Sequence, residues 1–92
     1  MGHRIELSEI EIAVNALAFV DAACCIYDEN EEKIVLFYQS KEPCDREVIN
    51  EAGKILPKYM LPNRMVHMSC MPMTKNAKID RIALKKEFID HD

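Results

Sequence analysis

The sequence predicts a small α+β domain, a two-layer arrangement of a roughly three-stranded sheet with about three helices against it, and three observations carry that expectation. Strand-like and helix-like patterns interleave along the chain without an internal repeat. The 92 residues suffice for one domain, because a second would leave each half too little core. With 49% hydrophobic and 30% charged residues, 2 Gly and 4 Pro, the composition is that of a packed globule and excludes a disordered tail or a fibre. At this size folding hides roughly 60–65% of the unfolded chain's surface, enough for a thin core but hardly for a deep closed cavity. A complete multi-substrate enzyme is not expected.

Taken in order, the elements justify themselves locally. Gly2 to Leu7 alternates as a short N-terminal extended segment. Ser8 then suits an N-cap, and Glu11 three residues on completes a capping box for a helix reaching about Leu17, with Ile10, Val14 and Leu17 on one face. Val20 to Tyr27 is apolar and rich in strand formers. The charged turn Asp28 to Glu32 follows, and Lys33 to Gln39 is the antiparallel partner, so the three segments predict a hairpin.

Asp45 can cap a second helix whose inward face is Val48, Ala52, Ile55 and Leu56, stopped by Pro57, which cannot continue the hydrogen-bond ladder. Pro57 and Pro62 box Lys58 to Leu61 into a turn, and Arg64 to Met68 alternates as a third strand. The polar run Thr74-Lys75-Asn76 forms a lysine loop before Asp80 caps a last helix with Ala83, Leu84 and Phe88 inward. The six Met residues are soft core filling.

Charge and cysteine usage narrow the partners. Residues 1–53 carry 4 Lys/Arg and 12 Asp/Glu, a charge of −8, whereas residues 54–92 carry 8 and 4, or +4, which together make the net −4. From Lys54 to Lys86 there are eight cations and one acid, Asp80, so this half can receive an anion. Nucleic acid is not an expected partner, since no aromatic-plus-basic repeat or recognised reading motif is present. Adjacent Cys24 and Cys25 would point to opposite faces of a strand. With Cys44 and Cys70 and no secretory leader, they read as reduced thiols of a cytoplasmic protein. No C-x-x-C or H-x-x-x-H spacing joins these to His3, His67 or His91, so no metal site is expected. The longest uncharged apolar run, Ala13 to Val20, is far short of the about 20 residues that cross a bilayer, and no membrane association is expected.

One constellation carries chemistry: Thr74-Lys75-Asn76-Ala77-Lys78-Ile79-Asp80-Arg81. Three cations within seven residues of a turn can project from a loop tip while Ile79 and the helix behind it anchor the base. A lysine there is a mobile point charge that can enter a partner's cavity and neutralise charge built up in phosphoryl or acyl-phosphate chemistry. The plain alternative is a solvated lysine turn.

Three segments resemble known motifs. Gly2-His3-Arg4-Ile5-Glu6-Leu7-Ser8-Glu9-Ile10-Glu11 resembles "G-x-R-I-E-L-x-E-I-E" of adenylate-forming enzymes, Leu56-Pro57-Lys58-Tyr59-Met60-Leu61-Pro62 resembles their "L-P-x-Y-M-x-P", and Asn76-Ala77-Lys78-Ile79-Asp80-Arg81 resembles their closing "N-G-K-I-D-R". They stand in family order from Gly2 to Arg81. The resemblance is to the small C-terminal subdomain of the AMP-forming adenylation superfamily, and within it to the amino-acid-activating branch, the D-alanyl carrier protein ligases and the adenylation domains of non-ribosomal peptide synthetases. Only Ile82 to Asp92 follow Arg81, which resembles the free-standing ligases.

That resemblance implies that residues 1–92 are the mobile lid of a ligase whose large N-terminal domain, with the phosphate loop, adenine site and acyl pocket, lies elsewhere, and that the piece is inactive alone. ATP and Mg²⁺, bound mainly by the large domain, would serve the first half-reaction. An acyl or peptidyl carrier protein, through its phosphopantetheine thiol, or CoA, would serve the second. Lys78 matches the catalytic lysine, which contacts the attacking carboxylate and the α-phosphate or ribose oxygens. Gly2 would line the pantetheine channel, where a residue without Cβ lets ligand approach the backbone closely. Asn76 and Ala77, directly before the lysine, would help to bind substrate or cofactor, and Arg81 would be an accessory cation at the same site. Ala77 departs from the family glycine; a positive φ there would cost alanine roughly 1–2 kcal/mol. The alternatives are the lid of an acyl-CoA synthetase and a non-catalytic binding module of the same fold.

Overall fold

The computed structural model describes residues 6–89. Its centre is strand β2 (Lys33–Gln39), flanked by β1 (Ala22–Asp28) antiparallel and β3 (Arg64–Met68) parallel, in the order β1-β2-β3. Ile34, Val35, Leu36, Phe37 and Tyr38 are all buried. A continuous apolar run belongs to a strand covered on both faces, and the helices supply both covers. Helices α1 (Leu7–Asn15) and α2 (Asp45–Ala52) lie with Ile34, Leu36, Tyr38 and Cys25, while α3 (Arg81–Phe88) brings Leu84 and Phe88 to Cys24, Val35 and Phe37 on the other side. The class is the α+β expected, and the two-layer reading is refined: the helical layer is split across the sheet. Phe37 and Phe88 meet edge to face at 5.4 Å.

Parallel pairing of β2 and β3 demands a crossover, which α2 and a 3-10 turn at Lys58–Met60 provide. Asn63 lengthens the ladder, its side-chain oxygen accepting from Ile34 N–H at 2.7 Å while its own N–H donates to the Ile34 carbonyl at 2.9 Å. In the β1–β2 turn the Asp28 carboxylate accepts from the Asn30 and Glu31 amides at 3.0 and 3.2 Å.

Several local expectations are corrected by tertiary contacts. Helix α1 starts at Leu7 with Glu6 as cap residue, so Ser8 is inside the helix and the capping box does not form. The helix stops at Asn15, whose side chain donates to the Glu11 carbonyl at 2.8 Å and accepts from Ala23 N–H at 3.1 Å, stapling α1 to β1. Strand β1 begins at Ala22, two residues after Val20. Asp45 is the first residue of α2 and not its cap; its carboxylate accepts from the Tyr38 hydroxyl, which in turn accepts from Cys44 N–H at 2.7 Å. Because α2 ends at Ala52, the helical phase is lost and Ile55 turns outward at 65% exposure, while Leu56 stays buried. Of the extended N-terminal segment, Gly2 to Ile5 lie outside the described residues and Leu7 is already helical.

Cys24 and Cys25 are buried on opposite faces of β1, Cys44 is half-buried and Cys70 is exposed; all four are free thiols. Burial raises the Cys24 thiol to about 11 and the Cys25 thiol to about 12, with Glu11 pushing the same way. Since thiolate is the reactive form, a disulfide-exchange reagent at pH 8 is expected to label Cys70 first and to reach Cys24 and Cys25 only on unfolding; simultaneous labelling of all four in the folded chain would contradict this. Both folded values exceed the ordinary 9.0, so the fold favours the protonated thiols. Their contribution to stability is complete below about pH 9 and is lost as pH rises through about 11 and 12. Thermal melts of Cys25→Ala should therefore lose less stability above pH 9 than melts of the parent chain.

Among the described residues no helix is long and apolar enough to cross a membrane.

Candidate functional site

The lysine loop is a small hairpin with defined hydrogen bonds. Met73 and Ile79 form an antiparallel bridge, Thr74 N–H donates to the Lys78 carbonyl at 2.7 Å, and Ala77 N–H donates to the Thr74 carbonyl at 3.0 Å. The Thr74 hydroxyl oxygen accepts from the amides of Asn76 and Lys78, both at 3.3 Å. The tip is thus a three-residue connection, Lys75-Asn76-Ala77, ending in a residue at φ 62°. Ala77 occupies the left-handed region that glycine adopts without cost, which is the condition under which its departure from the family motif becomes strain.

Strand alternation next to the tip separates the two roles of the sequence. Ile79 packs into the cluster of Val35, Phe37, Met71 and Leu84, and Lys78 is exposed. Among the described residues the Lys78 ammonium has no carboxylate partner within ion-pair distance. Asp80 N–H donates to the Pro72 carbonyl at 2.9 Å, closing the base of the hairpin, and the Asp80 carboxylate accepts from Ala83 N–H at 3.0 Å as the N-cap of α3. A flexible cationic stem therefore stands on a backbone fixed from both sides.

Arg81 turns away from the loop tip. Its guanidinium makes a fork to Glu11, Nη1 to Oε2 at 2.7 Å and Nη2 to Oε1 at 2.9 Å, with Nη1 also 3.0 Å from Cys24 Sγ and 3.4 Å from the Cys25 carbonyl. Glu11 Oε2 accepts the Cys25 amide as well, at 2.7 Å. The pairing drives the guanidinium still further above its ordinary value. Glu11 is the residue that sequence reasoning missed. Its spacing from Ser8 predicts a capping box, whereas its place at the end of the first motif is the signal for a distant partner.

Of the remaining candidates, Asn76 and Ala77 form the tip beside Lys78, and Gly2 lies outside the described residues. The Leu56 to Pro62 segment sits on the opposite side of the sheet, with Leu56 and Met60 buried against α1 and α2, and carries the chain into β3. Among the described residues no group of three or more His, Cys, Asp or Glu could hold a metal ion.

No protein-family model matches the chain. Individual relatives do. The D-alanine–D-alanyl carrier protein ligase of Bacillus licheniformis is 35% identical over 96 residues, covering 94% of this chain and 19% of the ligase. Surfactin synthase subunit 1 of Bacillus subtilis is 37% identical over 92 residues, covering 97% of this chain and 3% of that protein. Among solved structures, Klebsiella oxytoca NpsA in complex with 3-hydroxyanthranilyl-AMSN superimposes with a TM-score of 0.83 at 25% identity, over 91% of this chain and 17% of its own. The chain is a C-terminal part of the AMP-forming adenylating superfamily.

It spans about a fifth of the length of the carrier protein ligase it matches. The fold of this subdomain is shared more widely than the branch. A fatty acyl CoA synthetase of Mycobacterium tuberculosis superimposes with a TM-score of 0.79 at 21% identity, over 95% of this chain and 18% of its own, a likeness of fold alone.

Proposed function

We propose that this subdomain is the mobile lid of an ATP-dependent ligase that activates an amino acid, with D-alanine favoured, as its acyl-adenylate and transfers it to a phosphopantetheine thiol of a carrier protein. The observation that carries the reading is Lys78, exposed on a hairpin whose base is closed by the Asp80–Pro72 bond and capped by α3. The sequence likeness to a D-alanine–D-alanyl carrier protein ligase supports the substrate class.

In the first half-reaction the substrate carboxylate attacks the α-phosphorus of ATP, an oxygen–phosphorus bond forms, and pyrophosphate leaves with the electron pair of the broken bond. Negative charge accumulates on the α-phosphate oxygens during in-line displacement, and a cation held against them lowers the barrier. Lys78 supplies that cation from outside the large domain. It contributes charge and hydrogen-bond donors and takes no part in covalent chemistry. In this reading Mg²⁺ and most of the nucleotide belong to the large domain. In the second half-reaction the thiol sulfur attacks the acyl carbon and AMP departs, a step to which the lysine contributes little.

A second reading within the same chemistry makes the subdomain the lid of an acyl-CoA synthetase, with which the shared fold is also consistent. The intact ligase separates the two. Amino-acid-dependent exchange of labelled pyrophosphate into ATP, strongest with D-alanine and followed by loading of a holo-carrier protein, is the expected result. Exchange driven by fatty or aromatic acids with CoA as acceptor would overturn the amino-acid assignment. The 92-residue piece alone is expected to show no exchange.

A further inference from the structure

The ion pair between Arg81 and Glu11 joins two of the three sequence motifs across the fold. The partners are 70 residues apart. One closes the Asn76 to Arg81 segment at the start of α3, and the other closes the Gly2 to Glu11 segment in α1. From this geometry we infer that Arg81 is a positioning residue for Lys78 and not a nucleotide ligand, with Glu11 as the second half of the device. The inference rests on the assignment of Lys78 made above.

Three features support it. A guanidinium held fork to fork has both its terminal nitrogens on Glu11, and its charge is answered locally by that carboxylate. That leaves little field to offer a phosphate. The pair is also anchored at its acidic end: the Arg81 side chain is half exposed, but the Glu11 side chain is only 15% exposed, accepts the Cys25 amide as well, and shares the guanidinium with Cys24 Sγ and the Cys25 carbonyl. Arg81 consequently fixes the first turn of α3 to both α1 and β1. Lys78 is three residues upstream, and the intervening Asp80 is tied to Pro72. The Pro72–Asp80 bond therefore ties the two feet of the lysine hairpin to each other, and the guanidinium anchors the second foot to α1 and β1. A cation that must meet an α-phosphate in another domain depends on that second foot, since a misplacement of about 1 Å can cost as much as 10²-fold in rate.

The experiment uses the intact ligase and measures both half-reactions for Arg81→Ala, Arg81→Lys and Glu11→Gln, each also in combination with Lys78→Ala, with thermal melts of every variant. Arg81→Ala and Glu11→Gln are each expected to lower the kcat of adenylation by about 10- to 100-fold with the KM for ATP nearly unchanged. Arg81→Lys keeps the charge but loses the planar fork, and should lie between these and the parent. In the Lys78→Ala background the same substitutions should add almost nothing, because the effect passes through the lysine. A general loss of structure would not show that masking, and additive losses would overturn the inference. So would a raised KM for ATP in Arg81→Ala beside a silent Glu11→Gln, the signature of a nucleotide ligand. Should Arg81→Ala not fold, Arg81→Lys with parental kcat would overturn it equally. Full adenylation by Lys78→Ala alone strikes the functional reading instead, so the two failures are distinguishable.

Discussion

Lys78→Ala in the intact ligase is expected to lower adenylate formation about 10²–10³-fold while leaving transfer from supplied acyl-adenylate to the thiol largely intact. The size follows from removing one well-placed donor to a developing oxyanion. The asymmetry follows from where the charge develops. In adenylation the transition state gathers negative charge on phosphate oxygens, and the ammonium, exposed and without a carboxylate partner among the described residues, is available to them. In thiol transfer the charge first develops on the acyl oxygen, away from the phosphate, and AMP then leaves with the electron pair of the broken bond as an already stabilised phosphate anion. Single-turnover measurement of the two steps reads them separately. Equal loss of both, or of neither, would reject the role. Melting should barely move, because Lys78 is exposed and its backbone bonds to Thr74 survive truncation to alanine.

Ala77→Gly is expected to stabilise the chain by about 1 kcal/mol and to raise its melting temperature by roughly 4–8 °C. Two opposing effects set this value. At φ 62° alanine suffers a clash between Cβ and the backbone of about 1–2 kcal/mol, which glycine relieves. Glycine in turn gains roughly 0.4–1 kcal/mol of unfolded-chain freedom, so the net gain is smaller than the strain itself. A β-branched residue makes the opposite prediction: Ala77→Val should melt lower than the parent, since such side chains tolerate positive φ least. An unchanged or lowered melting temperature in Ala77→Gly would show that the hairpin tip is unstrained. The same substitution restores the family's glycine beside the lysine and should leave adenylation equal or faster.

Much of the fold was legible because the signals are local. Five consecutive apolar residues from Ile34 to Tyr38 announce a buried strand, and the structure gives β2 the boundaries Lys33 and Gln39 expected of it. Asp80 announces a helix start, and its carboxylate caps α3. The lysine turn was legible for the same reason: polar, turn-prone residues between an apolar anchor and a cap leave the chain few alternatives.

Where the sequence misled, long-range contacts outweighed local preference. Ser8 and Glu11 match a capping box, yet Glu11 finds in Arg81 and the Cys25 amide partners that a bond to its own helix end could not equal. Ile55 continues the apolar period of α2, but the helix has already ended at Ala52 and the side chain faces solvent.

By itself, then, the sequence determined the α+β class, the central strand, the three motifs and the lysine loop, because each is written within a few consecutive residues. The tertiary structure alone decided that helices cover both faces of the sheet, that Ala77 takes a positive φ, and that Arg81 is held by Glu11 instead of standing with Lys78. These depend on groups brought together from opposite ends of the chain. Only the folded packing sets the distances and burial that choose among the partners each group could take.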